Sequence, residues 1–147
     1  MTALPKLVSE LLAVIAGFGT YSLDGHVPKV TLVPHHVIVA EVCKKPCPVY
    51  AYFDPKKGIL LDERLDPVGD LNARSILLHE LVHFVQWKTA GRKPGNCDEW
   101  LRRESEAYDI QFRWLSRQSR GERRFPVRRP VLSPVQCRAD AASHVVG

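Results

Sequence analysis

Ser75-Ile-Leu-Leu-His79-Glu80-Leu-Val-His83-Phe-Val-Gln-Trp87 is the stretch on which the fold of this chain turns. Its apolar residues fall on nearly every side of a helix, which predicts a helix packed against neighbours on more than one face. Two imidazoles and a carboxylate on such a surface cost free energy unless each has a partner. Asp70 is placed to cap the N-terminus and Gly91 to stop the chain beyond Thr89, so the helix is expected over residues 70–89.

Downstream, a loop over residues 91–97 carries Pro94-Gly95-Asn96, and Asp98 is read as the cap of a second long helix ending before Gly121. Trp100, Glu104, Ala107, Gln111 and Trp114 recur at spacings of four and three and mark its inward stripe. Of the acids this helix offers (Glu99, Glu104, Glu106 and Asp109), only Glu104 lies on that stripe. Glu106 falls with Arg102, Arg103 and Arg113, a face expected to be solvated and ion-paired. Upstream, residues 4–18 have helical periodicity ended by Gly17 and Gly19, and residues 27–33 read as a strand. Residues 35–43 suit either a strand or a short helix. Residues 49–53 and 58–62 form a hairpin through Asp54-Pro-Lys-Lys-Gly58. This mixture gives the α+β class.

His79-Glu80-Leu-Val-His83 has the form H-E-x-x-H. Residues four apart share a helix face, so both imidazoles can reach a single ion. Glu80 stands about a quarter-turn away, near enough to touch a water on that ion without binding the ion itself. Zinc lowers the pKa of such a water towards neutrality, and an adjacent carboxylate can take up its proton. A catalytic zinc needs a third protein ligand. Glu104 is the first choice from its place on the stripe, and Glu106 is the second.

His79-Glu80-x-x-His83, followed about 20 residues later by Glu104-Ser105-Glu106-Ala107, resembles the gluzincin branch of the zincin metallopeptidases over roughly residues 48–115. The resemblance implies a minimal zincin fold: an N-terminal helix, a small and mostly antiparallel sheet, an active-site helix and a ligand helix. It implies zinc as cofactor, His79, His83 and Glu104 as ligands, and Glu80 as general base in the hydrolysis of a peptide or protein substrate. It also makes Ala107 the small residue that lets the helices approach, and puts Ile59-Leu60-Leu61-Asp62 in the position of a substrate-binding edge strand. One departure is that the family often has an Asp four residues after the ligand Glu, to hold the first His. Here Tyr108 occupies that position and Asp109 follows. Tyr50, Tyr52, Tyr108 and His144 are the candidates for stabilising an oxyanion. The alternative is a non-catalytic zinc-binding domain of the same shape that acts as a protein-interaction module.

The remaining features narrow the setting. With 147 residues, 45% of them hydrophobic and 25% charged, the chain has the composition of a folded domain. The net charge of +5 is a C-terminal property, because residues 113–147 hold eight Arg against two acids. Residues 1–120 are therefore read as the domain and 121–147 as a basic Pro/Arg-rich tail, packed on the domain or extending from it. The tail has no interleaved aromatics apart from Phe125, so no nucleic-acid module is recognised. His35-His36 reads as a solvated pair, and Gln86 as a neighbour of the site or a surface residue. No apolar run reaches the ~20 residues of a transmembrane span. Residues 7–18 contain Glu10 and read as a mature helix rather than a signal core. Among the four cysteines, Cys43 with Cys47 and Cys97 with Cys137 are the natural bridges, which leans towards a secreted or periplasmic protein whose signal has been removed. Four reduced thiols, or a second zinc held by all four, are the alternatives.

Overall fold

The computed structural model describes residues 3–43, 49–118, 121, 123–124, 127–133 and 137. The elements follow in the order α1 (Ala3–Gly17), β1 (Val30–Val33), α2 (His35–Val42), β2 (Ala51–Asp54), β3 (Gly58–Asp62), α3 (Leu71–Ala90) and α4 (Cys97–Arg117), a small α+β fold. The segment that suited strand or helix is helix α2, and the expected strand at 27–33 shortens to β1. No described helix is long and apolar enough to cross a membrane.

The sheet order is β1-β3-β2, with β3 parallel to β1 and antiparallel to β2. It is thus mixed rather than mostly antiparallel, and the reason is the connection. Helix α2 returns the chain across the sheet before the hairpin begins, and a crossover of this kind delivers parallel neighbours. Two features make the hairpin. The Asp54 carboxylate accepts from the N–H groups of Lys56 and Lys57, at 2.9 and 2.7 Å. Gly58 adopts φ +83°, and a Cβ there would come within 2.3 Å of the Lys29 carbonyl oxygen, so no larger residue fits.

Side chains alternate along β3 and divide the interior in two. Ile59 and Leu61 join the larger core with Leu7, Leu11 and Ile15 of α1 and with Leu77, Leu78 and Leu81 of α3. Leu60 turns the other way and packs with Tyr52 against Ile38 and Val42 of α2. Helix α3 has thirteen buried residues out of twenty, as its all-round apolar surface requires. Asp70 caps it by accepting from Ala73 N–H at 2.9 Å, and Gly91 ends it in the left-handed conformation. Helix α4 is capped by Asn96, which accepts from Glu99 N–H at 2.9 Å, rather than by Asp98; Asp98 instead lies in the first turn, where its charge favours the helix dipole.

Two ties reach the tail. Cys97 is bonded to Cys137, and Arg124 N–H donates to the second carboxylate oxygen of Asp70 at 2.5 Å. Cys43 is also disulfide-bonded, while Cys47, its expected partner, lies outside the described residues.

At the end of β3 the Asp62 carboxylate is fully buried. It accepts from His35 Nδ1 at 2.8 Å and from Arg64 through the main-chain N–H, Nε and Nη2, at 2.9, 3.0 and 2.6 Å. His35 is therefore a sheet-to-helix tie and not half of a solvated pair. The Arg64 guanidinium, opposed by burial and helped by the Arg64 main-chain N–H and His35, holds Asp62 down at about 2. A lowered folded-state pKa adds stability above the unfolded value of ~3.9, and that stability is lost as pH falls through the folded value. Since Arg64 is largely in solvent, the contribution is about 1 kcal/mol. Urea unfolding should show stability declining from about pH 4 towards pH 2, and Asp62→Asn should flatten that decline; an unchanged slope would remove Asp62 from the account.

Candidate metal centre

Helices α3 and α4 pack along the face that carries His79, His83 and Glu104, and Ala107 is fully buried there, which lets the backbones approach. The three side chains converge. Glu104 Oε1 lies 3.0 Å from His79 Nε2 and 2.6 Å from His83 Nε2, and the two imidazole nitrogens are 3.1 Å apart. Among the described residues this is the one group of His, Cys, Asp and Glu that could hold a metal ion. Atoms bound at 2.0–2.1 Å to a tetrahedral ion stand about 3.3 Å from one another, so an opening of about 0.2 to 0.7 Å between the three atoms would accommodate one.

Hydrogen bonds fix which nitrogen of each ring faces the centre. Gln86 spends both amide hydrogens on oxygens, donating to the Arg103 carbonyl and to Glu106 Oε1, each at 2.9 Å. Its Oε1 must then face His83 Nδ1, 2.8 Å away, and an amide oxygen only accepts. His83 Nδ1 therefore carries the hydrogen and Nε2 presents its lone pair. The same logic sets His79. Ser75 Oγ donates to the Asn72 carbonyl at 2.7 Å, which leaves it to accept from Gln111 Nε2 at 3.2 Å. Gln111 Oε1 then accepts from His79 Nδ1 at 3.0 Å. Both rings are locked with Nε2 inward, the tautomer that a metal ligand needs.

The electrostatics agree. Burial pushes Glu104 up, but the imidazoles of His83 and His79 overcome it and bring the carboxyl down to about 2. Burial likewise pulls His83 down, and the charge and hydrogen bond of Glu104 outweigh it, giving about 9. With no ion in place, a proton on His83 compensates the buried carboxylate, and a divalent cation can replace that proton.

Glu80 is buried beside the triad and stands apart from it. Burial raises its pKa, against the lowering influence of His79 and His83 and of the nearby main-chain N–H of Phe53. Its Oε1 is buried with no hydrogen-bond partner among the described residues. A lone carboxylate oxygen in a dry site is costly unless a ligand satisfies it, and a water held at the triad would do so. The donor set of two neutral imidazoles and one carboxylate, with this orphaned oxygen alongside, fits a catalytic zinc in kind and in number.

The structure also moves several residues from their expected places. Glu106 does not enter the triad; it accepts from Tyr21 O–H at 2.5 Å and from Gln86, and so supports His83 from behind. Strand β3, expected at the edge, is the middle strand, with both sides already paired. The edge next to the site belongs to β2. Asp62 N–H donates to the Tyr50 carbonyl, so alternate residues of β2 turn towards β3, and Ala51 and Phe53 turn their main-chain groups away from it. Tyr50 stacks on His35 and lies under Arg64, away from an oxyanion role. Tyr108 lies with its ring 4.3 Å from that of His79. His144 is outside the described residues. Gln111 and Ser75 have roles that only their distant partners reveal, although a Gln on the inward stripe of α4 is itself a signal.

Among the described residues the fold and the site thus define a small α+β domain with a buried His-His-Glu group able to hold a metal ion. No protein-family model, curated protein or solved structure matches the chain, so its chemistry is read from its own residues.

Two substitutions separate ligand from support. Glu104→Gln should abolish tight zinc binding, measured by competition with a chromogenic chelator, whereas Glu106→Gln should retain it. Gln111→Leu should weaken binding about 10- to 100-fold, the usual consequence of releasing a ligand imidazole from its outer partner. Equal loss in the Glu104 and Glu106 variants would reopen the assignment of the third ligand.

Proposed function

We propose that the protein is a zinc-dependent hydrolase of the metallopeptidase type, similar to the gluzincin branch of the zincins. The observation that carries this reading is the meeting of His79 Nε2, His83 Nε2 and Glu104 Oε1 at one buried point, beside the unpartnered Oε1 of Glu80. Zinc bound there would supply a Lewis acid and lower the pKa of a water towards neutrality. The protein's own residues do the rest. His79 and His83 are held in one tautomer by Gln111 and Gln86, and Glu104 contributes the negative charge. Glu80, with its pKa raised by burial, is matched to taking a proton at Oε1 and giving it to the leaving amine. Tyr108 lies against His79, and burial, then the charges of Glu104 and Glu80, keep its phenol protonated, so it can donate to a developing oxyanion. An extended peptide added along the outer edge of β2 would run past Glu80 at Phe53.

The second reading, a zinc-binding domain without turnover, draws on the depth of the site. His79 is 4% and Glu104 5% exposed, and an ion there would staple α3 to α4 whether or not substrate could enter. Glu80→Gln separates the two readings. In a peptidase, zinc content stays at that of the parent while hydrolysis of a quenched-fluorescent peptide mixture falls by about 10²- to 10⁴-fold, the usual share of a general base. A zinc-loaded parent that cleaves none of the mixture, or a variant as active as the parent, would set the peptidase reading aside.

A further inference from the structure

Beyond the triad, the second half of α3 and the β2–β3 hairpin enclose a recess of about 440 Å³. Its floor is aromatic. The ring of Phe53 meets that of Phe84 nearly edge-on, with centroids 6.0 Å apart, and lies 5.9 Å from Trp87. Val27 lines the same recess while 53% exposed, so apolar surface is left open to water there. The rim is basic: Lys29, Lys56, Lys57 and Lys88 line it and no acid does. Lys57 pairs with Glu41 and Lys88 with Asp24, whereas Lys29 and Lys56 have no ion pair among the described residues.

The location ties this recess to the metal centre. Glu80, Phe84, Trp87 and Lys88 share one face of α3. At ~1.5 Å of rise per residue, the recess spans about 6 to 12 Å along the helix from Glu80. Phe53 bridges the two places, since it belongs to strand β2, which packs on α3, and its ring lies in the recess against Phe84 and Trp87. An extended chain advances ~3.3 Å per residue, so side chains about two to four residues from a bond beside Glu80 would reach it.

We propose that this recess is the specificity pocket of the site, a proposal that rests on the peptidase reading. It takes one bulky aromatic side chain, two to four residues from the attacked bond, within an acidic stretch of peptide. The volume exceeds that of a single aromatic side chain. The three rings offer it edge and face contacts, and the unpaired Lys29 and Lys56 attract carboxylates on its neighbours. A surface built only to close the hairpin would have no need of two lysines, Lys29 and Lys56, left without ion pairs among the described residues. The leading alternative occupant of a pocket with aromatics and lysines is a single-stranded nucleic acid, stacked on the rings. The β2 edge that leads from Glu80 into the recess favours a peptide.

Binding can be read without turnover on the zinc-loaded full chain carrying Glu80→Gln. Fluorescence anisotropy would compare three labelled nonapeptides: one acidic with a central Phe, one with Ala in place of that Phe, and one with Lys in place of the acids. The first is expected to bind at least about tenfold more tightly than either of the others, the equivalent of about 1.4 kcal/mol. Adding Lys29→Glu and Lys56→Glu, both on the surface, should erase the preference for acids and leave the preference for Phe. Equal binding of all three peptides, or tighter binding of a labelled oligothymidylate, would overturn the proposal. The parent protein keeps the two questions apart. Cleavage of peptides without preference for a nearby aromatic would reject the pocket and leave the peptidase standing. Discrimination for Phe with no cleavage by the parent would reject the peptidase and leave a peptide-binding pocket.

Discussion

Two imidazole lone pairs and a carboxylate oxygen within about 3 Å of one another, shielded from water, cannot remain so without a positive charge among them. The rest of the molecule is arranged around that constraint. Ala107 removes side-chain bulk from the α3–α4 seam so that Glu104 can reach across it. The all-round apolar surface of α3 gives it a neighbour on every side, which stops the helix from rotating to release His79 and His83. A proton on His83 meets the need for positive charge when nothing else does, and a metal ion could take its place.

The means of holding the two histidines has a chemical consequence. Both Nδ1 hydrogens go to neutral amides, Gln86 and Gln111, where a carboxylate would have raised the basicity of the ring. A ligand imidazole with an amide partner donates less electron density, which leaves a bound divalent ion a stronger Lewis acid. Each Gln is itself locked, by Glu106 with the Arg103 carbonyl in one case and by Ser75 in the other. Tyr21 bonds to Glu106, so the chain just beyond α1 is linked to His83 through three side chains.

The sheet serves the site from one edge. Its middle strand is spent on packing, with both sides paired, and β2 is the edge strand that packs on α3 with alternate main-chain groups turned away from the sheet. Phe53 brings its main-chain N–H close to Glu80 and lays its ring in the recess. The surroundings of Glu80 and the side-chain recess thereby share one residue.

The sequence by itself determined the long helices, their principal stops and the identity of the three converging residues. These features are local: four-residue spacing puts His79 and His83 on one face, and the stripe through Trp100, Ala107 and Trp114 turns Glu104 inward, whatever the rest of the chain does. The hairpin at Asp54–Gly58 was legible for the same reason, because turn chemistry acts over a few bonds. The tertiary structure decided what depends on distant partners. It made residues 35–42 a helix, because the second face of the sheet needed a cover. It put β3 in the centre, since the chain returns after that helix to lay β3 parallel beside β1. It drew Glu106 out of its expected solvated face, because Tyr21 and Gln86 stood there to receive it. Gln111 gained its role only when His79 and Ser75 were brought to either side of its amide. Hydrogen-bond partners 30 or more residues apart leave no periodicity in a sequence, so these assignments waited for the packing of α4 on α3.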